Sequence, residues 1–206
     1  MFLPGATVSL SANIMNSSKK GFKTVFSTPF FEIEENSDPG FPNGLPYYRM
    51  TGQDSVLCCL MGEEGLLTMV RQYRPNLGIH TIEFPAGGVE SGETPLDAIR
   101  REIEEETGYQ CTLLNLGTYN LMLNRTNTHD HLFFGMELVP IPNKVSEDGI
   151  EMIKVSREEL VDMTQNGGYL QLAGLGILQL ISIFLGVDIL KDPIEKIHKE
   201  FRNRLL

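Results

Sequence analysis

Short apolar runs rich in β-branched and aromatic residues fill the first two thirds of the chain. They lie at 22–34, in PYYRM, in DSVLCCLMGEEGLLTMVRQYR and in IHTIEF. Such runs favour strands, and the glycine-bounded segment 62–65 favours a tight turn between two of them. LLNLGTYNLM, HDHLFFGMELV and GIEMIKVS continue the pattern. The sequence therefore predicts that the chain up to the end of GIEMIKVS consists largely of β-strands.

One helical pattern interrupts these strands. Thr94 suits an N-cap, Pro95 suits the first helical position, and Gly108 is a suitable stop. These signals predict a helix over 95–107. The preceding segment, PAGGVESGE, is predicted to be a glycine-rich loop whose backbone can approach a ligand closely.

Helical patterns return at Arg157 and continue to the C-terminus. LAGLGILQLISIFLG, at 172–186, is the most apolar stretch. It is shorter than a membrane span requires, and Gln179 and Ser182 interrupt it. We expect a helix that is buried or lies at an interface.

The order of these elements predicts an α+β fold, in which helices pack on a mixed sheet. Residues 22–50 form a possible separate β-lobe without an evident core. We therefore divide the chain into an N-terminal segment and lobe at 1–50 and a main domain at 51–206. We expect a homodimer formed through the lobe, the apolar last helix, or both. Residues 1–20 show no clear period, so they are either disordered or helical.

Composition limits the classes of binding partner and the cellular compartment that we expect. The net charge of -10 argues against broad binding to nucleic acid, whose phosphates attract basic surfaces. The three cysteines lack the spacing of a zinc site or a disulfide framework. Cys58 and Cys59 lie in an apolar run, where we expect them to be buried. A reducing cytoplasm fits this pattern, and no membrane partner is expected.

The helix at 95–107 concentrates negative charge. Glu102, Glu105 and Glu106 are three and four residues apart, so they share one face and repel one another. They also lie near the helix C-terminus, where the macrodipole disfavours anions. A hard divalent cation with oxygen ligands resolves this conflict.

Two further features surround this acidic face. Leu96, Ile99 and Ile103 fall on the neighbouring face, where they can pack against the sheet. Arg101 lies beside the glutamates, and Glu93 precedes the helix. A salt bridge between these two residues would tie the loop to the helix and hold the site together.

The whole stretch resembles the Nudix box, the signature of the Nudix hydrolase superfamily. The match is complete and consists of Gly87, Glu93, Arg101, Glu102, Ile103, Glu105, Glu106, Gly108 and Tyr109. The resemblance implies an α/β/α sandwich with a mixed β-sheet, preceded here by the small N-terminal β-lobe. It also implies hydrolysis of a nucleoside diphosphate linked to another group, with Mg²⁺ (or Mn²⁺) as cofactor.

The resemblance also assigns roles to residues. It implies metal ligation by Glu102, Glu106 and the Ala86 carbonyl, with Glu105 as a ligand or a base. Relatives often supply another acid from the loop before the last strand, where Glu147 and Asp148 are the candidates and Glu151 is less favoured. Arg101 and Glu93 count with the catalytic residues because they would hold the site together.

The flanking sequence favours one branch. MVRQYRPNLGIHTIEFPAGGVESGE is similar to the ADP-ribose and nucleotide-sugar pyrophosphatases. Arg74 and Arg49 either contact phosphate, stack on a base or are solvated at strand ends, and Gly87 is expected beside the substrate. Those enzymes usually carry a proline near position 125, and none stands between Gly108 and Val139. The substrate is therefore expected to be ADP-ribose, with GDP-mannose, UDP-glucose, FAD or a regulatory nucleotide-binding role as alternatives.

His129 and His131 flank Asp130 in THDHLF. Alternation places both histidines on one face, which suggests either a metal site or a loop near the substrate. Because no third ligand is evident, we expect the loop.

Overall fold

The computed structural model describes residues 21–37, 44–144 and 147–205. The chain forms two compact units, one containing Met1–Gly52 with Asn124–Asn127 and the other containing Gln53–Leu123 with Thr128–Leu206. The short return of 124–127 to the first unit was not predicted. The predictions for residues 1–20, and for most of the turn at 36–44, lie outside the described residues.

The first unit is a three-stranded antiparallel sheet, which confirms the predicted β-lobe. Its strands are β1 (Phe22–Ser27), β2 (Phe31–Asn36) and β3 (Tyr47–Gly52), in that order. The prediction of one strand over 22–34 was wrong, because Thr28 reverses the chain. Its hydroxyl accepts hydrogen bonds from the backbone N–H groups of Phe30 and Phe31, at 3.1 and 2.9 Å. Among the described residues of this unit, only Asn36 is buried.

The second unit contains a seven-stranded sheet. Its strands are β4 (Ser55–Met61), β5 (Leu67–Arg74), β6 (Ile79–Glu83), β7 (Ala86–Gly88), β8 (Tyr109–Tyr119), β9 (Asp130–Pro140) and β10 (Ile150–Val155). The order is β10-β5-β4-β9-β8, with β6 on β5 and β7 on β4. Strands β4 and β9 are parallel and the other pairs are antiparallel, so the predicted mixed sheet is confirmed.

Strand β4 lies at the centre of this sheet and is buried on both faces. Val56, Cys58 and Leu60 join a core with Ile99 and Ile103. The alternate residues, Leu57, Cys59 and Met61, join a second core on the other face. This explains why the strand is apolar throughout instead of alternating. The prediction of buried cysteines at 58 and 59 is confirmed, and both thiols are free.

In the part of the chain that the structure describes, four helices cover the two faces of this sheet. They are α1 (Pro95–Thr107), α2 (Arg157–Gln165), α3 (Leu172–Leu185) and α4 (Ile194–Leu205). Helix α1 packs on one core, while α2, α3 and α4 pack on the other. This is the expected α/β/α arrangement.

Helix α1 begins and ends where the sequence predicts. The Thr94 hydroxyl accepts a hydrogen bond from the Asp97 N–H at 3.2 Å, and Gly108 adopts a left-handed conformation with φ of 72°. Ile99 and Ile103 are buried, as predicted, but the prediction for Leu96 was wrong. Leu96 shares their face, yet it stands in the first turn at the end of the helix, where it is partly exposed.

Helix α3 is buried on one side only. Ile177, Ile181 and Leu185 face the core, while Leu172 and Ile183 are exposed. Gly174 is required in its first turn because a Cβ there would overlap the Tyr169 hydroxyl. Within the described residues, no helix combines the length and the apolar character needed to cross a membrane.

Candidate active site

The acidic site consists of the carboxylates of Glu102, Glu105 and Glu106 on α1 and the segment 86–93. The first part of this segment was predicted to be a loop, and the structure corrects that prediction. Ala86–Gly88 forms β7, because the backbone pairs with Ser55, Val56 and Leu57 of β4. The sheet thus holds the glycine-rich segment directly beside the helix.

Glu102 lies against Gly87. A Cβ at position 87 would overlap the Glu102 carboxyl group, so only glycine permits this approach. Glu102 is 9% exposed. Burial raises the pKa of its carboxyl, although Arg101 opposes the shift. Gly87 therefore acts here by making room for a carboxylate of the site.

Glu106 is the most buried carboxylate of the site, at 3% exposure. The Ala86 backbone N–H donates a hydrogen bond to its Oε2 at 3.2 Å. Burial raises the pKa of Glu106 to about 8, despite this hydrogen bond, and the charge of Glu102 adds to the shift. The contact is made by the Ala86 N–H, whereas the family resemblance implies a role for the Ala86 carbonyl.

Arg101 joins the loop to the helix. Its Nε and Nη2 donate to the two carboxylate oxygens of Glu93, at 3.0 and 3.1 Å, so the predicted salt bridge is present. Its Nη2 also donates to the Gly88 carbonyl, and its Nη1 donates to Glu102 at 2.7 Å and to Glu105 at 3.2 Å. Hydrogen bonding to Glu93 raises the pKa of Arg101 and lowers that of Glu93.

Glu105 differs from the other two glutamates of α1. Its side chain is 41% exposed and its one ion pair is to Arg101, within the part of the chain that the structure describes. The predicted acidic face is thus graded, with Glu102 and Glu106 inside and Glu105 at the rim. The sequence spacing could not distinguish these positions, because the sheet covers only one side of that face.

The loop before β10 approaches the same helix. The Glu147 backbone N–H donates to the Glu105 carbonyl at 3.0 Å. The charge of Glu147 contributes to the raised pKa values of Glu102 and Glu106, which places it near both. Asp148 is exposed. Glu151 pairs with Arg71 at 3.2 Å, on β10 and β5.

Arg74 lies at the end of β5, where it forms a bidentate pair with Glu83 of β6. Its Nε and Nη2 donate to the two Glu83 oxygens at 2.8 and 2.7 Å. The Thr81 hydroxyl donates to the same carboxylate at 2.6 Å. Burial opposes the ionisation of Glu83, but these hydrogen bonds outweigh it and lower its pKa. The charges of Arg74 and Glu106 affect each other's pKa, so Arg74 lies near the acidic site.

Arg49 belongs to the first unit. Its Nε donates to Glu34 at 2.6 Å, and its guanidinium stacks over the Phe22 ring at 3.8 Å. Its suggested role in substrate binding stays a prediction.

The two histidines of THDHLF share a partner that the sequence analysis missed. Asp54 lies between them, at 3.4 Å from His129 Nδ1 and 3.5 Å from His131 Nε2. His131 lies within β9, which confirms the strand predicted for HDHLFFGMELV, so the expectation of a loop was wrong for this histidine. Because β4 and β9 run parallel, Asp54 and His129 meet at the start of the two strands. The sequence could not predict this contact, because it depends on the pairing of two strands that are far apart in the chain.

The donor set fits a hard divalent cation, since it consists of carboxylate oxygens that lack full compensation by positive charge. Two of these carboxyls, Glu102 and Glu106, have raised pKa values in the protein alone. Among the described residues, no three acidic, histidine or cysteine side chains are grouped as they would be around one ion. Arg101 and the Ala86 N–H hold the carboxylates in their present positions.

A family comparison agrees with this fold. The chain belongs to the Nudix hydrolases, since the family model described as the NUDIX domain matches residues 51–171. An ADP-ribose pyrophosphatase of Bacillus subtilis (strain 168) is 31% identical over 128 residues, which are 61% of this chain and 69% of that protein. The predicted resemblance to the ADP-ribose pyrophosphatase branch is therefore confirmed.

Two other proteins extend the comparison. An ADP-sugar pyrophosphatase of Mus musculus is 55% identical over 42 residues, covering 20% of this chain and 19% of that protein. A crystal structure of an ADP compounds hydrolase superposes with a TM-score of 0.66, over 80% of this chain and 91% of that one. At 19% identity, the second match is a likeness of fold.

Proposed function

We propose that this protein hydrolyses the pyrophosphate bond of a nucleoside diphosphate sugar, with Mg²⁺ as its cofactor. The observation that carries the proposal is the pair of buried carboxylates, Glu102 and Glu106, beside β7. Gly87 leaves room for Glu102, Arg101 donates a hydrogen bond to Glu102, and the Ala86 N–H donates one to Glu106. ADP-ribose is the favoured substrate, because two relatives described above are named an ADP-ribose pyrophosphatase and an ADP-sugar pyrophosphatase.

The reaction adds one water to the substrate. The water oxygen forms a bond to one phosphorus, the bridging P–O bond breaks, and ADP-ribose gives AMP and ribose 5-phosphate. Bound Mg²⁺ would neutralise charge on the phosphates and lower the pKa of the attacking water. Glu102 and Glu106 would hold it, together with Glu105 and the Ala86 carbonyl.

The protein's own residues position these groups. Arg101 and Glu93 fix the loop against α1, so that the Gly87 and Gly88 backbone stays beside the carboxylates. Arg74 supplies positive charge for the diphosphate, and Glu83 fixes its orientation.

Three acids are candidates for the base that accepts the proton from water, namely Glu105, Glu147 and Asp148. The contacts favour Glu147. Its charge acts on Glu102 and Glu106, and its backbone is tied to α1 through Glu105. A base must reach the water that attacks the phosphorus, and the backbone contact between Glu147 and α1 supports this role for Glu147.

A substrate panel tests the proposal. Purified protein with Mg²⁺ is given ADP-ribose, GDP-mannose, UDP-glucose, FAD and nucleoside triphosphates, and nucleoside monophosphate release is measured. We expect the highest kcat/KM for ADP-ribose. Higher values for triphosphates than for every diphosphate sugar would contradict the assigned branch. Nucleotide binding without release of product would favour the alternative of a regulatory module.

We also propose that the chain forms a homodimer through the β-lobe. Val25 and Phe26 on β1 and Phe30 in the following turn are exposed, and among the described residues of this unit only Asn36 is buried. A sheet with so little core gains stability by burying this apolar surface against another copy. Sedimentation should show a dimer at micromolar concentration, and a monomer would contradict the idea. The three free cysteines support a reducing, cytoplasmic location.

A further inference from the structure

Two residues, Phe84 and Pro85, join β6 to β7 and belong to neither strand. The Phe84 N–H donates a hydrogen bond to Oε1 of Gln171, at 2.9 Å. We propose that Gln171 is a positioning residue for the carboxylate of Glu106, and that it acts through the backbone of residues 84–86. The inference rests on the proposed function, since it concerns a carboxylate that is assigned there to the metal.

The side chain of Gln171 departs from the usual role of its position. Gln171 is the N-cap of α3, where a short polar side chain normally accepts a hydrogen bond from the first turn of its own helix. The Gln171 side chain makes no such capping bond. It reaches instead to a backbone group 87 residues earlier in the chain. Departures of this kind are expected where a residue serves a functional site.

The amide oxygen of Gln171 is also held from a second side. The Tyr169 hydroxyl donates to it at 3.1 Å, so two donors occupy the two lone pairs of one oxygen. The Tyr169 ring packs edge-on against the Phe84 ring, with 6.3 Å between the centroids, and both residues are buried. Gly174 leaves room for these groups, because a Cβ there would overlap the Tyr169 hydroxyl and lie 2.8 Å from the Gln171 oxygen. The protein itself therefore fixes this acceptor.

The backbone segment that Gln171 holds continues to the acidic site. Two residues after Phe84, the Ala86 N–H donates to Glu106 Oε2 at 3.2 Å. Within the described part of the chain, this is the one hydrogen bond that the Glu106 carboxylate accepts. Glu106 is 3% exposed, so water has little access to replace that donor. The direction of the Ala86 N–H therefore sets the orientation of the Glu106 oxygens.

A displacement at Phe84 is passed to Ala86, because the residue between them is a proline, whose φ is fixed by its ring. The Pro85 carbonyl accepts a hydrogen bond from the Cys58 N–H at 3.0 Å, and Ala86 pairs with β4. Strand β4 thus holds the end of the segment, while Gln171 holds its start. Without the Gln171 oxygen, the segment can rotate about its β4 contacts and turn the Ala86 N–H away from the carboxylate.

The first test removes the amide oxygen. Gln171→Leu leaves the Phe84 N–H without its acceptor, and Gln179→Leu, at an exposed position of α3, is the matched control. Mn²⁺ is the probe, and its binding is measured by electron paramagnetic resonance without substrate. We expect Gln171→Leu to raise the Mn²⁺ dissociation constant about tenfold, as is usual when a residue that orients a metal ligand is lost. The control should match the unmodified protein.

The second test follows the backbone by amide hydrogen exchange, measured by NMR in metal-free protein. Gln171→Leu should accelerate exchange at both Phe84 and Ala86 by about tenfold, while Phe134, in the core of β9, is unchanged. Gln171→Glu should keep both amides slow, because its carboxylate restores an acceptor oxygen of the same reach. Equal acceleration at all three amides would show a general loss of stability. That result, or acceleration at Phe84 alone, would overturn the positioning role.

Neither measurement needs turnover, so a substrate panel without hydrolysis would overturn the proposed function alone. Equal Mn²⁺ affinity of Gln171→Leu and the unmodified protein would overturn the positioning role and leave the proposed function standing. No Mn²⁺ binding by the unmodified protein would overturn the metal site itself, and this role of Gln171 with it. Should Gln171→Leu fail to fold, Gln171→Asn tests the same contact, because its oxygen stands one carbon short of Phe84. It should raise the dissociation constant about fivefold, and an unchanged constant would count against the inference.

Discussion

Arg101 and Arg74 both stand beside the carboxylates of α1, but their hydrogen bonds differ. Each nitrogen of Arg101 has an acceptor, shared among Glu93, Glu102, Glu105 and the Gly88 carbonyl. Arg74 has one carboxylate partner, Glu83, on two of its three nitrogens. All three nitrogens of Arg101 therefore donate hydrogen bonds within the site, while Arg74 keeps one nitrogen for a ligand.

The difference teaches how one residue type serves two purposes. An arginine saturated by the protein stabilises a loop and cannot bind phosphate without breaking contacts. An arginine fixed along one edge is oriented in advance and loses little freedom when a ligand binds. The predictions below test this division of roles, beginning with the most buried carboxylate of the site.

The largest effect is expected from Glu106→Gln. The amide keeps the size of the side chain but removes its charge, so cation binding should weaken and kcat should fall by about 1000-fold, or about 4 kcal/mol. Steady-state assays across Mg²⁺ concentrations check this. Glu104→Gln, on the same helix but hydrogen-bonded to Gln110, is the control and should be nearly normal. Near-normal turnover of Glu106→Gln would remove the site assignment.

The pH dependence of stability should reveal the same carboxyl in metal-free protein. Burial raises the pKa of Glu106 from 4.5 to about 8, so its stabilising contribution is complete below pH 4.5 and is lost as the pH rises through 8. The loss should be on the order of 5 kcal/mol. Urea unfolding in EDTA should show Glu106→Gln gaining on the unmodified protein across this range. Parallel curves for the two proteins would contradict the burial effect.

Replacing Arg101 by lysine should lower the stability of the folded protein. A lysine ammonium cannot reach Glu93, Glu102 and the Gly88 carbonyl together, so we expect a loss of about 2 kcal/mol in the free energy of unfolding. Turnover should fall about 100-fold, or about 2.7 kcal/mol, because the loop is released. Arg100→Lys, whose arginine is exposed and lies 3.9 Å from Asp97, is the matched control. Unchanged unfolding would show that Arg101 does not hold the loop.

The same change at Arg74 should act mainly on substrate binding. Lysine keeps a positive charge for Glu83 but loses the planar fork, so KM for ADP-ribose should rise about tenfold, or about 1.4 kcal/mol. The free energy of unfolding should change by less than about 1 kcal/mol, because the pair is partly exposed. Arg71→Lys on the same strand is the control. A larger loss of stability than at Arg101 would reverse the proposed division of roles.

Local signals in the sequence determined much of the second unit. The cap at Thr94, the stop at Gly108 and the box between them predicted α1 to the residue. These signals are local: the cap, the left-handed glycine and the charges three and four residues apart each depend only on residues close by in the chain. They could therefore predict the helix without knowledge of the tertiary structure. The strands β4, β5 and β6 were predicted for the same reason, since their residue preferences and turns are local. The Arg101–Glu93 salt bridge also follows from short-range spacing.

Contacts between residues far apart in the chain were decided only by the tertiary structure. Asp54 meets His129 and His131 because β4 and β9 pair in parallel. The segment 86–88 is a strand because β4 is beside it, and Gln171 reaches Phe84 across 87 residues. The grading of Glu102, Glu105 and Glu106 depends on which side of α1 the sheet covers. Sequence alone sets periodicity and charge, but burial and pairing arise only when distant strands and helices pack together.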